Sequence, residues 1–216
     1  MLSCRLCSSA VVFFCQYKDR EYYRCFACSL IQVKQEHCPS PTDEEAEYRL
    51  HNNDPHDNGY RKFLSPVTRA MLKWLGEQEN AEPYILDFGA GSGPTISVVL
   101  EENGWKVSNY DPIFFPDMSA LERKYDLISS TEVVEHFFVP HKSWTQLFSL
   151  RKHNGHVVVM TQCSDAYFTK TQFLNWSYIR EQSHVAFYHS QTMSWIANAY
   201  GLTLRKIAPN VFWFSP

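Results

Sequence analysis

The sequence lacks several features that would place it in a specialised class of protein. It has no apolar run close to the roughly 18 residues that a membrane-spanning helix needs. Its N-terminal MLSCRLCSSA lacks the basic and apolar pattern of a signal peptide, and no internal repeat is visible. A formal net charge of -3 provides no general positive field for nucleic acid. We therefore expect a cytoplasmic protein that spans no membrane.

The composition is that of an ordinary globular protein. Hydrophobic residues make up 44% of the chain and charged residues 20%, and 216 residues suffice for one α/β domain with a small appendage. The chain also contains seven cysteines. In a cytoplasmic protein these are more typical of metal ligands or free thiols than of disulfides, so no disulfides are expected.

Four of the cysteines form two CxxC pairs, Cys4 with Cys7 and Cys25 with Cys28, separated by 17 residues. Two such pairs can complete a tetrahedral Zn²⁺ site, and short strands between them would form a hairpin. The pattern predicts a zinc ribbon over residues 1–38. Because so small a unit has little core of its own, the zinc would be structural. A role for the ribbon in docking a substrate or partner stays open.

Residues 39–60 are polar, acidic and rich in turn formers, which predicts a linker with one short helix over 43–50. A helix follows over 60–78, with Ser65 and Pro66 as its cap and first turn. Beyond it, strands and helices alternate, which predicts an α/β fold with a doubly wound, mostly parallel sheet. The predicted strands are 84–88, 105–110, 125–130 and 156–162, with a closing antiparallel pair over 202–208 and 211–214, and the predicted helices are 94–103, 132–138, 143–150 and 191–200.

A glycine-rich loop follows the first predicted strand of the sheet. Asp87 ends that strand, and Gly89, Gly91 and Gly93 let the chain turn sharply and a ligand approach the backbone. Pro94 stands where a dinucleotide loop has its last glycine, and Asp87 would lie poorly beside a pyrophosphate. S-adenosylmethionine has an ammonium and a sulfonium but no phosphate, so a carboxylate suits it.

This loop resembles the first motif of the class I S-adenosylmethionine-dependent methyltransferases, an acid followed by GxGxG, and the resemblance covers residues 60–216. It implies a Rossmann-like sheet in which the acid and the loop bind the methionine part of the cofactor. Asp111, which ends the second strand, would bind the ribose. The candidate cofactor residues are Asp87, Gly89, Ala90, Gly91, Gly93, Asp111, Ile113 and Thr131.

The segment after the second strand departs from the family pattern. Only 14 residues separate Asp111 from Asp126, so the third strand must be short or missing. This affects the adenine contacts, which the third strand helps to position. Ile113 is the first candidate for these contacts, with Asp117 and Met118 as the alternative.

The segment TEVVEHFF carries a cluster of catalytic candidates. Glu132, Glu135 and His136 are spaced i, i+3 and i+4, so they share one face if the segment is a helix. The motif is similar to the EVIEH segment of the small-RNA 3′-terminal 2′-O-methyltransferases, which implies a second divalent metal with His184 as a fourth ligand. Such an ion would lower the pKa of an acceptor hydroxyl. Two alternatives stay open: His136 or His184 acts as a metal-free general base, or the cluster is structural.

Two further segments are candidates for the walls of the site. The stretch FLNWSYIREQSHVAFY lies where this fold shapes its acceptor pocket, and Trp176, Tyr178, Arg180 and Tyr188 are its candidate lining residues. In the polar linker, Tyr48, His51 and Asn52 are candidates to close over the cofactor.

The motifs together are identified as those of a short bacterial family of zinc-ribbon methyltransferases related to the ubiquinone-type enzymes. The predicted function is methyl transfer from S-adenosylmethionine to an unidentified acceptor, with the hydroxyl of a small molecule favoured. One alternative is a metal-assisted RNA methyltransferase that docks its substrate on the ribbon. The other is a non-catalytic zinc-ribbon interaction protein.

Overall fold

Two β-sheets organise the chain in the computed structural model, which describes residues 2–49, 53–78 and 82–216. The strands are β1 (Val11–Tyr17), β2 (Arg20–Cys25), β3 (Ile31–Val33), β4 (Ile85–Phe88), β5 (Val107–Tyr110), β6 (Tyr125–Thr131), β7 (Arg151–Met160), β8 (Ala186–Phe187), β9 (Thr203–Ala208) and β10 (Val211–Ser215). The α-helices are α1 (Pro41–Tyr48), α2 (Asn58–Gly76), α3 (Thr95–Glu102), α4 (Pro140–Ser149), α5 (Lys170–Asn175) and α6 (Ser190–Ala199).

The larger sheet has six strands in the order β5-β4-β6-β7-β10-β9. Its first four strands are parallel, and β10 pairs antiparallel with both β7 and β9. Between β5 and β6 the chain forms only a 3₁₀ helix, Met118–Leu121, so β5 is the edge of the sheet in the described part of the chain. The predicted fold class is confirmed, and the third strand, which was expected to be short or missing, is absent from the described residues between β5 and β6. The connection is too short for the additional strand and its crossover.

Helix α2 covers one face of this sheet. Leu64, Val67, Met71 and Leu75 form its buried stripe and pack in one apolar cluster with residues of β4, β6 and β7. The helix predicted over 60–78 is present, but Ser65 and Pro66 are not its cap and first turn. Asp57 caps α2 eight residues earlier, and Pro66 lies inside it. The continuous buried stripe outweighs the hydrogen bond that the proline cannot make.

The smaller sheet has the order β1-β2-β3-β8, with antiparallel pairing throughout. Its first two strands are the predicted ribbon hairpin, but β8 comes from the C-terminal half of the chain. In this pairing Ile31 lies opposite Phe187 and Gln32 opposite Ala186. Neither β3 nor β8 was predicted, because runs of three and two residues carry no detectable periodicity. Strands from the predicted units 1–38 and 61–216 thus lie in one sheet.

No described helix has both the length and the apolar character needed to cross a membrane. The seven cysteines are all free thiols in the structure.

Candidate functional site

A cavity of about 850 Å³ opens where strands β4, β5 and β6 end, at the carboxyl edge of the larger sheet. This is the edge at which α/β sheets bind their ligands. Its walls come from the glycine loop, from the residues that follow β5 and β6, from α1 and α2, and from the segment 177–184. Candidates for cofactor and acceptor binding therefore lie around a single space.

The glycine loop is closely packed. Gly89 and Gly91 have φ angles of +78° and +64°, which favour glycine. A Cβ atom on Gly89 would lie 2.4 Å from Cγ2 of Val133, and one on Gly93 would lie 1.5 Å from the backbone oxygen of Asn53. The loop therefore contacts the turn after β6 on one side and the segment before α2 on the other.

Asp111 links the loop to the end of β5. Its Oδ2 accepts a hydrogen bond of 3.0 Å from the backbone N–H of Gly91, and its Oδ1 accepts bonds of 2.9 and 3.0 Å from the N–H groups of Ile113 and Phe114. Asp111 is buried. Asp111, Ile113 and Phe114 all line the cavity. The carboxylate thus fixes the turn that carries the predicted adenine contact. Ala90 and Thr131 also line the cavity.

Asp87 is a buried carboxylate at the end of β4. It accepts a hydrogen bond of 2.8 Å from the Ser129 hydroxyl, and it lines the cavity. Burial raises the pKa of Asp87 to about 7, and the negative charge of Asp111 adds to this effect. A cation in the cavity would relieve this unfavourable burial. The residues present therefore fit the ammonium of S-adenosylmethionine at Asp87 and its ribose at Asp111.

The segment after β6 does not form the predicted helix over 132–138. Only a single 3₁₀ turn, Val134–His136, is present, and Glu132 lies before it with a φ angle of +52°. The backbone N–H of Glu132 donates to the carbonyl of Met160 at 2.8 Å, which extends the pairing of β6 with β7 to this residue, and the chain turns at its left-handed backbone. Glu132 therefore does not share a helical face with Glu135 and His136.

Glu135 and Glu132 meet at the hydroxyl of Tyr178. This hydroxyl donates to Oε1 of Glu135 and lies 3.2 Å from Oε2 of Glu132, while Thr161 donates to Oε2 of Glu135 at 2.9 Å. Burial raises the pKa of Glu135 to about 7, and burial together with the charge of Glu135 raises that of Glu132 to about 9. The pair therefore retains a proton at neutral pH.

Two histidines are held next to these carboxylates by backbone carbonyls. Nδ1 of His136 lies 3.1 Å from the carbonyl oxygen of Ser183, and Nδ1 of His184 lies 2.8 Å from that of Tyr178. Because a carbonyl oxygen only accepts hydrogen bonds, Nδ1 carries the hydrogen in both rings, which assigns the lone pair of the neutral ring to Nε2. The ring centroids are 4.8 Å apart, and both residues line the cavity.

Glu135, His136 and His184 also form a potential metal site. One ligand atom from each lies within 4.8 Å of those from the other two, and all three residues are buried. The carbonyl partners at Nδ1 are the outer contacts that metal-binding histidines usually have. Glu132 is not in this group. Three residues, rather than the four predicted, therefore fit a divalent ion.

The four predicted acceptor residues are placed differently from one another. Tyr178 lines the cavity. Trp176 is buried, stacked between Tyr167 and Tyr178, and Tyr188 is buried with its hydroxyl bonded to Trp144 and to the carbonyl of Val134. Arg180 is exposed and is not among the lining residues. Of these four residues, Tyr178 is therefore the one that lines the cavity.

Helix α1 supplies one wall of the cavity and carries Tyr48, one of the predicted candidates. Tyr48 lies with its ring 5.0 Å from that of His136, and it lines the cavity, whereas His51 and Asn52 fall outside the described residues. Lining residues that were not predicted include Glu44, Glu45, Asn53, Tyr60, Phe63, Phe114, Gln146, Gln162, Ser177 and Glu181. They come from distant parts of the chain and carry no shared motif.

The charge of the cavity wall has one sign. Its described lining residues include no lysine or arginine, and its carboxylates are Glu44, Glu45, Asp87, Asp111, Glu132 and Glu181. Burial and the nearby Glu47 also raise the pKa of Glu44 to about 7. A polyanion would find no fixed positive charge here.

The four ribbon cysteines converge on one point. Sγ of Cys4 lies 3.5 Å from that of Cys28, and Sγ of Cys7 lies 3.4 Å from that of Cys25, with all four sulfurs within 4.8 Å of one another. The hydrogen bond between Cys4 and Cys28 lowers the pKa of Cys4 to about 5 and raises that of Cys28, so the two thiols share one proton. The cluster fits a tetrahedral Zn²⁺ ion.

The fold is similar to those of several solved structures. A protein from Pyrococcus horikoshii matches with a TM-score of 0.54 and 14% identity, over 79% of this chain and 98% of that one. The magnesium protoporphyrin IX methyltransferase of Synechocystis, solved with bound S-adenosylhomocysteine, matches with a TM-score of 0.50 and 11% identity, over 81% and 93% of the two chains. No curated protein matches the chain.

A sequence profile described as a methyltransferase domain matches residues 58–207, which is more than half of the chain. The match spans α2, the glycine loop, the turn after β6 and most of the remaining sheet. The chain therefore belongs to the methyltransferase-domain family.

Proposed function

We propose that the protein transfers the methyl group of S-adenosylmethionine to a hydroxyl of a small molecule. The observation that carries the proposal is that a single cavity joins the glycine loop to a buried cluster of carboxylates and histidines. A cofactor bound at the loop and an acceptor bound at the cluster would share that space. The main contribution to the rate would then come from holding the two reactants in line.

The proposed cofactor position follows from the loop. Asp87 would bind the ammonium and Asp111 the ribose hydroxyls, and the backbone of Gly89 to Gly93 would lie against the methionine part. Ile113 would pack against the adenine, and Thr131 would close the loop side of the pocket. This arrangement points the sulfonium toward the turn after β6, because that turn forms the neighbouring wall of the cavity.

The proposed acceptor end is formed by His136, Tyr178 and His184. In the reaction the C–S bond breaks and a C–O bond forms, and the hydroxyl proton passes to Nε2 of a histidine. His184 is the better placed of the two histidines, because its Nε2 lies 3.6 Å from a carboxylate oxygen of Glu181. That carboxylate would stabilise the imidazolium. S-adenosylhomocysteine then leaves as a neutral sulfide.

The charge of the cavity favours a small acceptor over RNA. Six carboxylate residues line it and no described lining residue is a lysine or arginine. A nucleic acid is held chiefly through its phosphates, which require such residues. A neutral or positively charged small molecule meets no comparable repulsion.

A divalent ion at Glu135, His136 and His184 is a second candidate for activating the hydroxyl. The convergence of the three side chains and the Nδ1 contacts to carbonyl groups favour it. Such an ion, when bound, would lower the pKa of the acceptor hydroxyl. In that case the two histidines would bind the ion, and the proton would pass to solvent.

Binding and labelling experiments test the proposal together. Calorimetry should detect S-adenosylhomocysteine binding to the wild-type protein and none to D87A. Radiolabelled S-adenosylmethionine, incubated with the protein and fractionated cell extract, should label small molecules. Label in RNA alone would favour the docking alternative. If the wild type bound no S-adenosylhomocysteine, the protein would instead be a non-catalytic interaction protein.

A further inference from the structure

The first metal-binding turn of the cysteine ribbon reaches both segments that carry the site histidines. Arg5 lies inside the pair Cys4–Cys7. Its Nη1 donates to the carbonyl oxygen of Phe138 at 2.8 Å, and its Nη2 donates to that of Val185 at 2.8 Å. Phe138 lies two residues after His136, and Val185 directly follows His184. A single guanidinium therefore joins the two segments.

A second ribbon arginine holds the same region from strand β2. Arg20 is 2% exposed, its Nη1 donates to the carbonyl of Glu181 at 3.0 Å, and its Nη2 donates to that of His184 at 2.6 Å. Hydrogen bonds from a charged donor to buried carbonyl groups are stronger than those between neutral groups. Both ends of the turn that carries His184 are thus bound to one side chain.

The backbone continues this connection. Strand β3 pairs with β8, and the N–H of Val33 donates to the carbonyl of Val185 at 3.0 Å. The N–H of Val185 donates in turn to the carbonyl of Glu135 at 2.9 Å. The ribbon is therefore linked by main-chain bonds to the carboxylate cluster. None of the described residues from 2 to 40 lines the cavity itself.

We propose that the ribbon braces the acceptor end of the cavity, with Arg5 and Arg20 as positioning residues that fix the backbone carrying His136, Tyr178 and His184. Metal bound to the four cysteines fixes the turn from which Arg5 extends. Loss of that metal loosens the acceptor end and leaves the cofactor end in place. The inference rests on the proposed function only where it assigns this end of the cavity to the acceptor.

The test uses R5L and R20L in the full-length, zinc-loaded protein. Backbone amide exchange in 132–138 and 178–187 should become faster by about tenfold or more, because R5L removes two hydrogen bonds to carbonyl groups of these segments and R20L removes three. The affinity for S-adenosylhomocysteine should stay within about twofold of wild type. R24L is the matched control, since Arg24 also lies on β2 but stacks on Phe168. Its exchange in both segments should be unchanged.

Three additional measurements separate positioning from general loss of structure. In R20L the cobalt-loaded ribbon should keep its thiolate absorption bands, which shows that the ribbon is folded. The NMR signals of the Nδ1–H groups of His136 and His184 should broaden in both leucine variants and recover in part in R5K and R20K. Removal of zinc by a chelator should reproduce the exchange pattern of R5L.

Two results would contradict the proposal that the ribbon fixes these segments. One is unchanged exchange in 132–138 and 178–187 in both leucine variants. The other is an equal increase in the loop 87–93, together with loss of S-adenosylhomocysteine binding. If the wild type binds no S-adenosylhomocysteine, the proposed function fails, and the exchange data still decide whether the ribbon fixes these segments.

Discussion

Gly93 lies directly beneath the backbone of Asn53, so closely that a Cβ atom on the glycine would be 1.5 Å from the asparagine carbonyl oxygen. The contact joins the glycine loop to the segment that leads into α2. Gly91 lies beside the same residue, since its Cβ would be 3.7 Å from the Asn53 side chain. The glycines of the motif therefore serve two purposes. They allow the turn of the loop, and they allow a second segment to lie against it.

The substitution G93A should weaken S-adenosylhomocysteine binding by at least about tenfold. A methyl group at this position cannot coexist with the Asn53 carbonyl, so the segment must move away from the cavity that it lines. Calorimetry of the purified variant measures the effect. The control is G76A, because a Cβ on Gly76 meets nothing within 4 Å. If G93A bound S-adenosylhomocysteine with wild-type affinity, Asn53 would not form a wall of the cofactor pocket.

The fold was largely predictable because its strongest features are local. The glycine loop, Asp87, Asp111 and the CxxC pairs each lie within a short stretch whose chemistry requires those residue types. The missing third strand could be predicted from a 14-residue interval. The carboxylates that α1 contributes to the cavity wall could not be predicted, since Glu44 and Glu45 come from a polar segment that is equally typical of a solvated linker.

The acceptor end was harder to predict for a physical reason. The i, i+3, i+4 spacing of Glu132, Glu135 and His136 indicates one helical face, but Glu132 stays bonded to the neighbouring strand and has a left-handed backbone, so the chain turns there instead. Aromatic residues in the segment 173–188 are equally suited to core and pocket, so their sequence could not separate Tyr178 from Trp176 and Tyr188. The contacts of Arg5 and Arg20 depend on tertiary structure alone.

Cofactor affinity should depend on the protonation of Asp87. Burial raises its pKa to about 7, whereas a bound ammonium favours the carboxylate and lowers the pKa. Below that pKa, Asp87 must therefore lose a proton when the cofactor binds. The affinity for S-adenosylhomocysteine should fall by about tenfold from about pH 8 to about pH 6. Calorimetry in buffers of different ionisation enthalpy should also show proton release near pH 6.

The control for this dependence is D87N, which cannot ionise. Its binding should be weak at both pH values and should not change between them. If the wild type showed a flat profile, or if D87N retained the slope, the titrating group would not be Asp87.

Metal content should distinguish the three-residue site from the four-residue set that the sequence suggested. Wild-type protein dialysed against Mn²⁺ or Co²⁺ should hold a second ion in addition to the ribbon zinc. E135Q and H184A should lose that ion, because both residues belong to the convergent group. E132Q should keep it. Elemental analysis measures all four proteins.

The same measurement discriminates between the two ways of activating the acceptor. If the wild type held only one ion per chain, no second ion would activate the acceptor hydroxyl, and a histidine would accept its proton. Loss of the second ion in E132Q would show that Glu132 turns toward the metal when it binds. C28S should lose the ribbon zinc, whereas E135Q and H184A should keep it and lose the second ion, so each ion is identified by its own variants.

The ribbon and the methyltransferase domain should unfold in a single transition. Cys4, Cys25 and Cys28 belong to the same apolar cluster as residues of β4, β6 and β7, and strand β8 completes the ribbon sheet. Two units that share a core and a sheet lose their stability together. Calorimetric unfolding of the zinc-loaded protein should therefore give one peak, with equal calorimetric and van 't Hoff enthalpies.

Loss of zinc should consequently lower the melting temperature of the whole chain. C28S should unfold several degrees below wild type, because it removes a ligand and places a hydroxyl in an apolar cluster. C163S is the control, since Cys163 lies outside the four-sulfur cluster and should change the melting temperature much less. A separate low-temperature transition in C28S, with the main peak unmoved, would mean that the ribbon is energetically independent. In that case the ribbon could not fix the backbone that carries His184 through Arg5.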